Sequence, residues 1–292
     1  MAQPARSKRQ ILRDYLLDHI EDDSHRYYGR KSRAWLEYVA DAWLNDASNS
    51  AHRYQEMYDF AGEETVRNSR ILDMASGCGT FVYYGLINGV DVWGIEPEDW
   101  KNTFNKMKAD VYGYPEGWKQ RFIKAVGENL PFPDAFFDFV SSYQTMEHVQ
   151  DIQRCLTEML RVARIAVFLK SPDYCGTFEG HYRLPWLPLF PRPLARLYLR
   201  FLGRQTLGLD SLQDITERRV KRILKRYPAR IHDRNGFLVV KQKIDEKLGL
   251  TKYGILGSGL SYLATGAYLL FCKSCRLFRR EKNIDLIISK SI

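Results

Sequence analysis

Cysteine is scarce in this 292-residue chain: there are five, odd in number and scattered at 78, 155, 175, 272 and 275. That pattern excludes a secreted disulfide framework and favours a reducing compartment. The stretch from Met1 to Arg13 is polar and basic and lacks the apolar centre of a signal peptide, so export is not expected. There is no internal repeat and no low-complexity tract. Acidic residues are also outnumbered: 35 of them face 44 lysines and arginines, a formal charge of +9. The balance suits an anionic partner, whether nucleic acid, a phosphorylated substrate or an acidic membrane surface, and does not choose among them.

With 45% hydrophobic residues, the chain can bury one substantial core, with additions rather than a second full domain. Apolar side chains recur at helical spacing over 8–20 and 33–45, which predicts an amphipathic arm within residues 1–66 that packs on the core. Over 67–171 strands and helices alternate. Strands are expected at 70–75, 90–96, 122–126, 137–143 and 165–170, with helices from about 80, over 99–109 and over 151–163. This is the rhythm of an α/β, Rossmann-like doubly wound sheet. It breaks at 172–214, where Leu184-Pro-Trp-Leu-Pro-Leu-Phe-Pro-Arg-Pro193 is too long for an ordinary connection and suits a substrate lid. Over 215–292 the core sheet should end with a basic helix at 216–227, a strand at 236–242 and a closing strand at 284–290.

The chemistry-bearing segment is Ile71-Leu-Asp-Met-Ala-Ser-Gly-Cys-Gly-Thr80, which runs from an apolar strand through a glycine turn into a helix. Gly77 and Gly79 permit the tight turn and a close ligand approach, and the helix start offers free amide donors. At the end of the second strand, Glu96 stands 19 positions after Gly77, where a ribose-binding acid belongs in this architecture. Loop and acid together indicate a nucleoside-containing cofactor. A dinucleotide is disfavoured, because the third glycine of its fingerprint is replaced by Val82.

Four blocks in order, Leu72-Asp-Met-Ala-Ser-Gly-Cys-Gly79, Gly127-Glu-Asn-Leu-Pro-Phe-Pro-Asp134, Phe137-Asp-Phe-Val140 and Met146-Glu-His-Val149, resemble the small-molecule S-adenosylmethionine-dependent methyltransferases. By that resemblance Asp73 and the backbone over 77–79, with Gly77 and Gly79, hold the methionine part of S-adenosylmethionine. Glu96 takes the ribose hydroxyls; the segment around Val126, Gly127 and Glu128 lies against adenine; Gln144 and Thr145 flank the cofactor; and Ala75 and Pro97 are further cofactor-binding residues. Val126 departs from the pattern, standing where the family often has an acid that receives a hydrogen bond from adenine.

Methyl transfer to a hydroxyl calls for a base. His181 in the lid and His148 after the fourth strand are the candidates, with Glu179 and Glu147 as orienting carboxylates. Nucleobase methylation is disfavoured, because Ser142-Tyr-Gln-Thr145 occupies the place of the Asn/Asp-Pro-Pro-Tyr turn, and nucleic acid is not the expected partner. Cys272-Lys-Ser-Cys275 has the spacing of half a zinc site without a second half, so no metal is expected.

Tyr253 to Cys272 forms a run of twenty uncharged residues with Lys273, Arg276, Arg279 and Arg280 after it. If the closing strand pairs with 236–242, one crossing cannot return the chain to the side it left, and twenty residues are too few for two spans. The hydrophobic helix at 253–272 is then either buried or lying in a membrane interface. Arginines and lysines at 192–204 and 218–230 form a solvated face or meet phosphates. The expectation is a cytoplasmic O-methyltransferase acting on a sugar or lipid-linked envelope intermediate, with peripheral contact to an anionic membrane open. Two rivals stand beside it: carbon methylation of a quinone or isoprenoid lipid, and a non-catalytic scaffold subunit that keeps the cofactor fold.

Overall fold

The computed structural model describes residues 7–48, 50–175, 178–234, 262–263 and 282–290. The expected strand at 236–242, the Cys272/Cys275 pair and all but two residues of the 253–272 segment lie outside them. Among the described residues no helix is long and apolar enough to cross a membrane.

In chain order the elements are α1 (Lys8–Tyr27), α2 (Arg33–Leu44), α3 (Ser50–Ala61), α4 (Glu63–Arg67), β1 (Arg70–Met74), α5 (Thr80–Ile87), β2 (Asp91–Ile95), α6 (Asp99–Tyr112), α7 (Glu116–Lys119), β3 (Phe122–Ile123), β4 (Phe137–Tyr143), α8 (Ile152–Val162) and β5 (Ala163–Asp173). There follow β6 (Phe178–Glu179), β7 (Leu184–Pro185), a 3-10 turn at Leu187–Leu189, α9 (Arg192–Phe201), α10 (Leu207–Asp210), α11 (Glu217–Leu224), β8 (Ala229–Asp233) and β9 (Lys282–Lys290). Side-chain oxygens begin several helices by taking otherwise unbonded amides. Ser7 accepts from Gln10, Ser32 from Trp35, Asp151 from Arg154 and Thr216 from Arg219.

Two compact units result. The first comprises 1–167 and 203–213, the second 168–202 and 214–292, so the proline-rich 172–214 stretch is divided between them. In the first unit the strand order is β3-β2-β1-β4-β5. β1 runs parallel to β2 through Arg70↔Asp91 to Met74↔Ile95, and parallel to β4 through Ile71↔Phe139 to Met74↔Ser142. The chain therefore winds outward from β1 to β3 and then returns to the other side of β1. This reversal, between β1 and β4, opens a crevice at the carboxyl ends of the strands, the place where doubly wound sheets take their ligands. The core is apolar on every strand: Ile71, Leu72, Val92, Phe139 and Val140 are buried.

The helical arm packs as its periodicity implies. Leu12, Leu16, Leu17 and Ile20 of α1 join Leu36, Ala40 and Leu44 of α2 over Phe104 and over Cys78 of the glycine turn. Burial drives the Cys78 thiol up to about 12, so it is packing rather than a nucleophile. Helices α3 and α4 have no counterpart in the expected elements, because Ser50–Ala61 alternates polar and aromatic residues without a clean apolar stripe.

In the second unit β9 lies beside β8. The closing strand falls where alternation placed it, with Ile284, Leu286 and Ile288 buried. Its described antiparallel partner is β8, through Ala229↔Lys290 to Asp233↔Leu286, rather than the 236–242 segment. The short runs that make β6, β7 and β8 carry too few residues for a periodic signal. α11 occupies the middle of the expected basic helix and buries Val220, Ile223 and Leu224.

Candidate functional site

The glycine turn is held by its own backbone. Gly77 N–H donates to Glu96 Oε2 at 2.9 Å, and Gly77 C=O accepts from Asn105 Nδ2 at 2.9 Å. Ser76 N–H donates to Ile95 C=O at 2.8 Å, tying the loop to the end of β2. Gly77 and Gly79 lie at φ +55° and +72°, a region glycine enters without strain. They differ in what surrounds them. A Cβ at Gly79 would sit 2.8 Å from Asn105 and Phe122, whereas one at Gly77 would meet nothing within 4 Å. Gly79 is thus required by packing, and Gly77 faces open space.

Glu96 is buried, and its second oxygen accepts from Glu98 N–H at 3.1 Å. Burial raises its pKa, while Lys101 and the two amides pull the other way. Pro97 follows it on the surface. Two further residues expected at the cofactor have left-handed backbones: Ala75 at φ 58°, just after β1, and Gln144 at φ 52°, just after β4. Neither is glycine, and strain of this kind persists where the surroundings fix it. Because Met74 pairs with Ser142, these two kinks stand at neighbouring strand exits.

Asp73 is not open. Arg53 of α3 donates from Nη2 to Asp73 and, at 2.6 Å, to Ser141 Oγ. Its guanidinium lies 3.9 Å from the Phe81 ring centre and 4.2 Å from that of Tyr143. Burial raises the Asp73 pKa, against the attraction of Arg53. Beside this pair, Tyr143 O–H donates to the buried Glu56 carboxylate, and exposed His52 Nε2 lies 3.1 Å from Glu56 Oε1. A chain from His52 through Glu56 to Tyr143 therefore ends at the carboxyl end of β4. Sequence reasoning missed all of Arg53, His52, Glu56 and Tyr143. The available signal was His52 and Glu56 at i and i+4 beside Arg53, one turn of helix with three chemically active groups.

Several buried polar atoms around this crevice have no hydrogen-bond partner among the described residues: Ser76 Oγ, Ser142 Oγ, Asn105 Oδ1 and Arg53 Nε. Each such atom costs about 1–3 kcal/mol unless something supplies its bond. The expected adenine side is different. Gly127 is glycine for packing, since a Cβ there would come within 2.8 Å of Cys155 and Met74 sulfurs. Glu128 accepts from Gln150 N–H at 2.7 Å and Asp151 N–H at 3.2 Å, holding the approach to α8. Val126 is exposed beside them.

The two candidate bases belong to different units. In the first, His148 is exposed and its Nε2 is 4.0 Å from Glu147. In the second, His181 Nδ1 is 2.7 Å from Glu179 Oε1, which also accepts from Tyr174 O–H at 3.2 Å. Burial opposes the Glu179 charge, yet His181 and the Tyr182 amide outweigh it and the pKa is lowered. The contact with Glu179 orients the His181 ring through Nδ1.

A family profile described as a methyltransferase domain matches residues 72–168. An uncharacterized methyltransferase of Mycobacterium sp. (strain KMS) is 31% identical over 164 residues, 55% of this chain and 56% of the relative. The norajmaline N-methyltransferase of Rauvolfia serpentina is 32% identical over 120 residues, 39% of this chain and 38% of that one. The chain thus spans about half or less of the curated relatives it matches. Among solved structures, magnesium protoporphyrin IX methyltransferase from Synechocystis PCC 6803 with bound SAM aligns at a TM-score of 0.44 and 13% identity, over 79% of this chain and 90% of that one.

Proposed function

We propose, for a chain that belongs to the S-adenosylmethionine-dependent methyltransferase family, that its first unit binds S-adenosylmethionine at the crevice between β1 and β4 and methylates a hydroxyl of a sugar or lipid-linked acceptor. The observation that carries the cofactor reading is the Glu96 carboxylate bonded to the Gly77 amide at 2.9 Å. One acid thereby sets the loop and presents itself at the second strand's end, where a ribose diol is held. The residues present fit the group. Gly77 faces open space, Ser76 and Ser142 offer unbonded hydroxyls, and Arg53 offers an unbonded Nε suited to the carboxylate of the methionine part.

The cofactor supplies an electrophilic methyl on a sulfonium, whose transfer to a hydroxyl oxygen releases one proton. The chain's own residues remove that proton. Tyr143 already donates to Glu56, so its phenolic oxygen can accept from an acceptor hydroxyl while its proton moves to Glu56. His52, exposed and 3.1 Å from Glu56 Oε1, passes it to solvent. The choice of a sugar or lipid-linked acceptor rests on the excess of arginine and lysine and on the apolar surface described below.

Calorimetry with S-adenosylmethionine tests the first part. Glu96→Ala should weaken binding by about 10- to 100-fold, the value of hydrogen bonds to a charged group. Wild-type protein that does not bind, or a variant that binds equally well, would sink the reading. For the second part, transfer of labelled methyl to sugar and lipid extracts should fall about 100-fold in Glu56→Gln with cofactor affinity unchanged. Equal turnover would indicate an acceptor that needs no base there, such as the amine that the norajmaline enzyme's name implies for that relative.

A further inference from the structure

Exposed large apolar side chains are not scattered over the described surface. Six of the thirteen, Leu189, Phe190, Leu194, Leu197, Phe201 and Leu202, fall in fourteen consecutive residues on and beside α9. Helical spacing sorts them. Ala195 and Leu199, at i and i+4, are buried and hold the helix to its unit. Leu194, Leu197 and Phe201, at i, i+3 and i+7, share the opposite side and are 53%, 63% and 86% exposed. Arg192, Arg196 and Arg200, at i, i+4 and i+8, run along the helix between these two sides. The surrounding sequence is equally one-sided: from Arg183 to Leu209 there are five arginines and no acidic residue.

A solvated helix would carry its charges outward and its leucines inward. Here the outermost row is apolar and is edged by cations, the arrangement of a helix that lies in a bilayer interface with its leucines and phenylalanines among acyl chains and its arginines at headgroup phosphates. We propose that α9 is a docking helix for an anionic lipid surface. A protein groove would also accept the apolar row, but a stretch with five arginines and no acid of its own, Arg192 being paired at 2.9 Å with Asp214 from outside it, matches a uniformly negative surface better than a mixed one. The site differs from the 253–272 segment and adds an exposed apolar row to the 192–204 arginines, for which the sequence offered a solvated face or phosphate contact; lipid binding here does not depend on cofactor or methyl transfer.

The test is flotation of the full chain with vesicles of phosphatidylcholine alone or with phosphatidylglycerol, at low and high salt. Wild type should float with the anionic vesicles at low salt and be partly released at high salt. Leu197→Glu with Phe201→Glu should abolish flotation, with circular dichroism, unfolding midpoint and S-adenosylmethionine affinity unchanged because both side chains are exposed. Arg196→Gln with Arg200→Gln should lower partitioning on the order of twentyfold and flatten its salt dependence. Absence of flotation, equal flotation on neutral vesicles, or flotation that survives the double glutamate variant would each overturn the proposal. So would light scattering that shows a dimer broken by Leu197→Glu in a chain that ignores vesicles, since the row would then be a self-association face.

Discussion

The two ends of the first unit's sheet are built from the same strands and the same charged residue types, yet they differ in how those charges are satisfied. At the amino ends, Asp138 accepts from Arg70 N–H at 2.8 Å and from Arg164 Nε at 2.6 Å, while Asp91 meets Arg70 at 3.2 Å and Arg121 at 2.9 Å. A pocket of about 410 Å³ opens there, lined among others by Arg70, Asp91, Asp138 and Arg164. At the carboxyl ends the acids Asp73, Glu96 and Glu56 are buried, and Ser76, Ser142 and Arg53 keep atoms without partners. Unmet bonding capacity at a topological switch point favours the carboxyl ends as the ligand site, since buried orphan atoms are rare in folded proteins and a ligand is one way to complete them.

The sharpest way to break that comparison is to remove Arg53. Arg53→Met keeps the aliphatic contact with Phe81 and Tyr143 but leaves Asp73 buried without its cation. A loss of about 3–5 kcal/mol in denaturant unfolding is expected, together with loss of cofactor affinity. A variant as stable as wild type would mean that Asp73 simply takes up a proton and that the pair is no structural keystone.

Acidification should separate the two ends next. The Glu96 pKa is raised from 4.5 by burial, so the carboxylate proposed to accept from a ribose diol is lost at a higher pH than for an exposed glutamate. Affinity is complete above that raised value and declines as pH falls through it, by up to about tenfold per pH unit below it. Asp73 is raised for the same reason and adds to the decline. Calorimetry across pH should therefore show a steep acid limb in wild type and a flatter one in Glu96→Gln. Identical limbs would detach Glu96 from the cofactor.

The comparison also shows what was legible in sequence. Gly77, Gly79 and Glu96 were readable because turn chemistry and strand spacing are local properties, and they lie together at one crevice. The core strands were readable because both faces are buried and their apolar runs are continuous. Arg53 and Glu56 were not, since their partners Asp73 and Tyr143 are 20 and 87 positions away and only packing of α3 brings them into contact. Gly127 and Glu128, which the resemblance places at adenine, also serve the fold: one packs closely against Met74 and Cys155, and the other accepts from amides at the approach to α8. The α9 row was invisible as well, because apolar periodicity predicts a helix equally well whichever side faces the core.

The smallest expected effect guards the comparison from the other side. Arg164 at the amino ends is 65% exposed, and its partner Asp138 retains the Arg70 amide when Arg164 is removed. A screened surface pair of this kind contributes at most about 1 kcal/mol. Arg164→Ala should therefore shift the unfolding midpoint slightly, more at low salt than at high, and leave S-adenosylmethionine binding untouched. If it instead weakens cofactor binding as Glu96→Ala does, the amino-end pocket is coupled to the crevice, and satisfied charges there are part of the site rather than its contrast.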